Sequence, residues 1–115
     1  MKASNKDQAL LYLEKYAAKD LTGLKEMFSQ DIVLRDWKIR VEGKEQALHE
    51  TQKNFNDADT IEINVLAVYE SKNTVAVELK IVVDASEELY VVDVITFNDE
   101  GNINSIRAYL GRGDT

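Results

Sequence analysis

The sequence has no cysteine, no proline and a single histidine among its 115 residues. Without cysteine, the chain can form no disulfide and has no thiolate for nucleophilic catalysis or metal binding. Without proline, its turns must be made by Gly, Asn, Asp and Ser. The one histidine, His49, lies on a charged segment with helical spacing, which favours an exposed residue over a ligand or a catalytic base. A metal site would need carboxylates alone, and no such cluster is apparent. We expect neither a metal nor a cofactor.

Positive charge is also scarce. Fourteen Lys and Arg residues stand against 21 Asp and Glu residues, so the formal net charge is −7. The few basic residues form no stripe, which argues against nucleic acids and anionic membrane surfaces as partners. No apolar run reaches transmembrane length, and the N-terminus has no signal-peptide core. The sequence predicts one cytoplasmic domain over 1–115, with a hydrophobic fraction of 44% that is sufficient for a core.

Hydrophobic periodicity predicts an α+β domain. Apolar residues recur at helical spacing in the N-terminal half and alternate with polar residues in the C-terminal half. The predicted helices are 5–19, a short helix carrying Leu24, Met27 and Phe28, and 44–56; the predicted strands are 31–37, 39–41, 61–69, 75–83, 89–97 and 103–110. Short turns join the last four strands, which indicates an antiparallel meander. We expect this sheet to curve over the helices rather than form a parallel α/β layer.

The most strand-like run, 89–97, carries a carboxylate, Asp93, at its centre. A buried ionised carboxylate is costly unless it is paired, hydrogen-bonded or protonated. Two other polar residues lie among apolar neighbours, Tyr12 on the first helix and Asp36 near the end of the first strand. Together the three would form a proton-transfer set. An ionised acid can take a proton from carbon beside a carbonyl, while a tyrosine and a protonated acid donate hydrogen bonds to the resulting oxyanion.

Each of these residues also has a purely structural interpretation. Asp36 could be a solvated acid at a strand end, or its neighbour Arg35 could pair with it. Tyr12 could be a core tyrosine whose hydroxyl reaches a backbone carbonyl. Asp93 could be a buried structural acid bound to backbone donors or to an arginine; the candidates are Arg35, Arg40 and Arg107. Trp37 could line a pocket mouth or cover the core.

The sequence resembles the ketosteroid isomerases and SnoaL-like proteins of the nuclear-transport-factor-2-like (NTF2-like) superfamily over most of its length. The residues that carry the resemblance are Tyr12, Asp20-Leu21-x-Gly23-Leu24, Phe28-x-x-Asp31, Asp36, Asp93 and Phe97-Asn98-x-x-Gly101-x-Ile103-x-Ser105-Ile106-Arg107-Ala108-x-x-Gly111. The match is good at both ends of the chain, whereas in the middle only the general pattern agrees. Trp37 follows Asp36 where the isomerases carry proline.

The resemblance implies a cone-like fold in which a curved, mostly antiparallel sheet encloses a pocket with three helices. It implies that Asp36 is a general base, Tyr12 an oxyanion-hole donor and Asp93 its protonated partner acid, with Tyr16 the nearest candidate for a supporting tyrosine. The implied reaction is cofactor-free isomerisation of an apolar, carbonyl-bearing small molecule, steroid-like or polyketide-like. The alternative is a non-catalytic ligand-binding or dimerisation module.

Two sets of residues follow from this expectation. Inward strand positions should line the pocket: Val77, Leu79, Ile81, Val91, Ile95, Ile106, Ala108 and Leu110. The resemblance also implies a homodimer formed through the outer face of the sheet, where the natural contacts are Val92, Val94, Arg107 and Tyr109.

Overall fold

A computed structural model describes residues 3–114. The three helices are α1 (Asn5–Ala17), α2 (Leu21–Met27) and α3 (Lys44–Asp57). The six strands are β1 (Phe28–Arg35), β2 (Arg40–Glu42), β3 (Ile61–Ser71), β4 (Thr74–Val83), β5 (Glu87–Phe97) and β6 (Ile103–Leu110). The α+β class and the antiparallel meander of the last four strands are confirmed.

Local capping explains where the first two helices begin and end. The Ser4 side chain accepts a hydrogen bond from the Asp7 backbone N–H at 3.1 Å, which is a typical N-cap. The Asp20 carboxylate caps α2 in the same way, through the Gly23 N–H at 2.9 Å. Between the two helices Lys19 adopts a positive φ of 57°. Because a left-handed residue ends an α-helix, α1 stops earlier than the predicted residue 19.

The prediction for the first strand was wrong by a few residues at both ends. The strand begins at Phe28, directly after α2, and ends at Arg35 instead of residue 37. A buried Phe28 satisfies either a helical or a strand pattern, so periodicity alone placed it on the helix. At the other end Asp36 leaves the sheet because its backbone N–H bonds Ile39 O at 3.0 Å and closes a turn.

The sheet is a single mixed sheet with strand order β2-β1-β6-β5-β4-β3. Strands β1 and β6 are parallel, and the other neighbours are antiparallel. Register shifts interrupt three pairings, between Phe28 and Val33, between Val65 and Ala67, and between Thr96 and Phe97. Such irregularities bend strands and increase their twist, so the sheet curves around the helices without closing into a barrel.

The core lies between the helices and the inner, concave face of the sheet. The largest fully buried side chains are Phe28, Phe97, Leu24, Ile32, Leu79, Ile95, Ile103, Ile106, Val75 and Val77. Alternation along β5 turns Val91, Asp93 and Ile95 toward this core and the even-numbered residues outward. Among residues 3–114, no helix has the length and apolar character needed to span a membrane.

Candidate acid–tyrosine site

Asp93 lies in the middle of the inner face. It pairs with Val77 on β4 and with Ala108 on β6, and only 8% of its surface is exposed. Burial, and secondly the nearby charge of Asp36, raise the pKa of the Asp93 carboxyl from 3.8 to about 7. Loss of hydration disfavours the charged form, and a neighbouring like charge adds to that effect. Below a pH of about 7, Asp93 therefore holds its proton in most molecules and can donate a hydrogen bond.

Tyr12 meets Asp93 from the helical side. Its ring is 5% exposed and packs 6.0 Å from the Tyr16 ring and 6.3 Å from the Phe28 ring, measured between centroids. Burial raises the pKa of the Tyr12 hydroxyl well above its ordinary value, and the charges of Asp93 and Tyr16 raise it further. The phenol consequently stays protonated, which is the state that an oxyanion donor requires.

Asp36 approaches the same interior from the end of β1. It is half-buried in the turn that follows β1, and its negative charge acts on Asp93. One carboxylate oxygen, Oδ1, accepts hydrogen bonds from the backbone N–H groups of Lys38 at 2.7 Å and Ile39 at 2.9 Å. These bonds fix the orientation of the carboxylate within the turn. The structure thus brings together Tyr12, Asp36 and Asp93, although their roles stay predictions.

The arginines considered as partners for the two acids lie elsewhere. Arg35 points to the outer face, where its Nη2 donates to the Tyr109 hydroxyl at 2.9 Å and its Cζ lies 5.0 Å from the ring centroid. Arg40 pairs with Glu42 at 2.9 Å. Arg107 is the cross-strand partner of Arg35 and shares its outer face. Asp93 is therefore kept neutral by burial instead of being neutralised by an arginine.

Two further side chains complete the cluster. Tyr16 lies one turn after Tyr12, and burial raises the pKa of its hydroxyl; the hydrogen bond from Asn54 opposes this shift, and the charges of Asp93 and Asp36 add to it. That hydroxyl accepts a hydrogen bond from Asn54 Nδ2 at 3.1 Å. Asn54 was not predicted from the sequence, although its helical spacing from buried residues could have indicated its position. Asn54 follows the buried Thr51 by three residues and precedes the buried Phe55, so helical spacing places it beside the buried stripe.

The interior around these groups is closely packed. Of the residues predicted to line a pocket, Val77 and Ile95 are completely buried in the core cluster, so they contact other side chains and not an open space. The two best-formed depressions among residues 3–114 lie at other places. One is bordered by three of the residues predicted to line a pocket, Leu79, Val91 and Leu110, and the other runs between α1 and β3. Neither is lined by the acids or by Tyr12.

No metal-binding cluster is evident among the residues that the structure describes. Across residues 3–114 no group of three or more His, Asp or Glu side chains is arranged to hold a metal ion. The chemistry that the site can support is proton transfer between a fixed carboxylate, a protonated carboxyl and a phenol.

The curved sheet over three helices, with carboxyl and tyrosine groups inside it, defines the class as an NTF2-like α+β domain. Within that class the chain belongs to the SnoaL-like domain family, whose model matches residues 9–106. This confirms the resemblance and the fold. No curated protein sequence matches the chain.

Solved structures of the same fold are similar in shape but distant in sequence. An NTF2-like protein of unknown function from Cytophaga hutchinsonii has a TM-score of 0.82 at 14% identity, covering 96% of this chain and 93% of its own. A candidate ketosteroid isomerase from Kribbella flavida has a TM-score of 0.83 at 14% identity, covering 96% and 80%. A LEH-like epoxide hydrolase from M. tuberculosis has a TM-score of 0.81 at 14% identity, covering 93% and 82%.

Proposed function

We propose that this protein is a cofactor-free acid–base enzyme that moves a proton beside the carbonyl of an apolar, steroid-like or polyketide-like small molecule. The observation that carries the proposal is the buried Asp93 carboxyl, whose pKa is raised to about 7 by burial and by the nearby Asp36. A carboxyl that keeps its proton can donate a hydrogen bond while a second carboxyl in the same site acts as a base. Resemblance to solved isomerase and hydrolase folds is consistent with this chemistry.

In the proposed mechanism Asp36 is the general base. Because backbone donors hold Oδ1, the second oxygen, Oδ2, is presented to the substrate. It takes a proton from the carbon next to the carbonyl and returns it to another carbon of the same enone system, so the double bond migrates with no net change in composition. A positioned base of this kind contributes a rate factor of roughly 10²–10⁴.

Tyr12 and Asp93 stabilise the oxyanion that forms on the carbonyl oxygen. Tyr12 holds its proton at neutral pH, Asp93 holds its proton below a pH of about 7, and both are buried, so their hydrogen bonds act in a medium of low polarity. The Tyr12 and Phe28 rings supply apolar surface beside these donors. An apolar ligand with a single carbonyl matches this combination better than a charged metabolite does.

The proposal includes a second copy of the chain as partner, bound through the outer face of the sheet. Val92 is 36% exposed and Tyr109 46% exposed there, next to Val94 and Arg107. An apolar strip of this kind on a sheet face gains free energy when it is covered. Light scattering should give a dimer mass for the wild type and a monomer mass for Val92→Asp.

A second candidate is a non-catalytic module with the same fold. The dense packing of Val77, Leu79 and Ile95 favours it, because a substrate needs space next to Asp93. This candidate predicts ligand binding or dimerisation without turnover.

An assay of double-bond migration on a 3-keto-Δ5 steroid separates the two candidates. The wild type should be active, and Asp36→Asn should lose a factor of about 10³ in kcat because the base is gone. The matched control is Asp99→Asn in the exposed turn after β5, which should keep full activity. An inactive wild type, or an Asp36→Asn variant as active as the wild type, would refute the isomerase proposal.

A further inference from the structure

The interior of the site needs an entrance, since Asp93 and Tyr12 are buried and neither borders the two best-formed depressions among residues 3–114. Most of its boundary is continuous sheet. Backbone ladders join β4 to β5 and β5 to β6 on both sides of Asp93, and such ladders open only with cooperative unfolding. The boundary between α1 and α3 is different, because side chains rather than backbone hydrogen bonds connect the two helices there.

Tyr16 makes this connection. Its hydroxyl accepts a hydrogen bond from Asn54 Nδ2 at 3.1 Å, and its ring packs edge-on against Phe55 with 5.0 Å between centroids. On its other side the same ring lies 6.0 Å from Tyr12. Tyr16 therefore stands between solvent, where Asn54 is exposed, and the buried acid–tyrosine cluster.

The connection is weak by its chemistry. It is one solvent-exposed hydrogen bond between two neutral side chains, and such bonds add little net stability because water replaces them. A rotation of the half-buried Tyr16 side chain breaks this bond without disturbing any backbone hydrogen bond. The charges of Asp93 and Asp36 both act on the Tyr16 hydroxyl, so this hydroxyl lies near the two carboxyls.

We infer that Tyr16 is the gate of the site and that Asn54 is the latch that holds it closed. An apolar ligand enters between α1 and α3 as the Tyr16 side chain swings outward, and it leaves by the same route. The inference rests on the proposed function for the identity of the ligand, but the opening itself is a property of the protein alone. The test therefore uses neither substrate nor turnover.

The absence of cysteine makes a clean reporter possible, because an introduced thiol is the only one in the chain. We place it at the site with Asp93→Cys and measure its rate of alkylation by N-ethylmaleimide, a small neutral probe. When closing is fast, this rate is proportional to the open population. A second reporter, Val77→Cys, occupies the fully buried position paired with Asp93 and serves if the first variant fails to fold.

Asn54→Leu and Tyr16→Phe each remove the latch bond and keep a side chain of similar size. Each should raise the alkylation rate about fivefold, as expected for the loss of one net hydrogen bond. Because both remove the same bond, the double variant should react no faster than either single variant. The matched control is Gln52→Leu, which deletes another exposed amide bond of α3, from Gln52 Nε2 to Asn56 Oδ1 at 2.9 Å. The control should leave the rate unchanged.

Two outcomes would overturn the inference. One is that Asn54→Leu and Tyr16→Phe label no faster than Gln52→Leu. The other is that labelling rates follow the global unfolding free energy measured in urea, since exposure would then come from unfolding and not from a gate. Neither outcome depends on isomerase activity. The gate and the proposed reaction can therefore fail separately.

Discussion

The two faces of the sheet place ionisable side chains in opposite environments. On the outer face Arg35 stacks on Tyr109, Arg40 pairs with Glu42, and Lys80 pairs with Glu88 at 3.3 Å, all in contact with water. On the inner face Asp93 lies among aliphatic side chains and keeps its proton up to a pH of about 7. Strand alternation alone separates the two environments. A carboxyl moved by a single residue along β5 would change from an ordinary surface acid into a hydrogen-bond donor.

The largest change in stability is expected when a second acid is placed on the inner face. Val77→Asp should destabilise the protein by about 3–5 kcal/mol, because a completely buried aliphatic side chain is replaced by an acid beside Asp93. Its neighbour Ala76 points outward, and Ala76→Asp should change stability by no more than about 1 kcal/mol. Urea unfolding of the two variants measures the difference. Equal losses would contradict the assignment of faces.

The next effect is the pH dependence that Asp93 imposes on stability. Its folded-state pKa of about 7 lies above the ordinary value of 3.8. Below a pH of about 4 the carboxyl is protonated in both states. Between about pH 4 and 7 the unfolded chain releases the proton while the folded chain keeps it, so the free energy of unfolding falls by up to about 4 kcal/mol.

Asp93→Asn removes this titration. The variant should be close to the wild type in stability at pH 4 and more stable at pH 8, by a few kcal/mol at most. Urea denaturation at the two pH values gives the comparison, with Asp99→Asn on the exposed turn as control. A wild type that gains stability relative to Asp93→Asn between pH 4 and pH 8 would show that Asp93 is ionised and paired.

A smaller effect is expected in turnover from Tyr12→Phe. The variant keeps the ring and its packing against Phe28 but loses the donor. Loss of one oxyanion donor should lower kcat on the 3-keto-Δ5 steroid by about 10²-fold with little change in KM. The matched control is Tyr69→Phe, at a tyrosine that is 60% exposed on β3. A Tyr12→Phe variant with full kcat would leave Tyr12 a core residue only.

The smallest effect belongs to the outer face. Arg35→Gln breaks the contact with Tyr109 but leaves both residues hydrated, so the stability loss should stay below about 1 kcal/mol. Activity should be unaffected, since Arg35 contacts neither acid. A large loss of turnover in Arg35→Gln would mean that the two faces are coupled.

Much of this architecture could be predicted from the sequence because period-two alternation is strong in the last four strands. The final strand, 103–110, was predicted with its observed ends, and the inward direction of Asp93 follows from Val91 and Ile95. The start of β1 was missed because no turn residue separates α2 from it. Asn54 was missed because its role depends on where α3 lies relative to α1, and long-range placement is invisible to local pattern.

The packing density around the acids could not be predicted from the sequence either. Periodicity assigns Val77 and Leu79 to the inner face, but it says nothing about whether they touch other side chains or border an open cavity. That difference depends on how tightly the helices approach the curved sheet. Sequence alone also could not show whether an arginine pairs with Asp93. The strand register answers this, because it places Arg107 beside Arg35 on the outer face, opposite to Asp93.

The parallel pairing of β1 with β6 also bears on how the protein acquires its site. Asp36 follows a strand near the N-terminus, yet that strand is held in the sheet by the last strand of the chain. Contacts so distant in sequence require closure of a long loop before they form, which slows folding. During synthesis β1 therefore pairs in the sheet only after β6 has been made, and we expect Asp36 and Asp93 to come together no earlier.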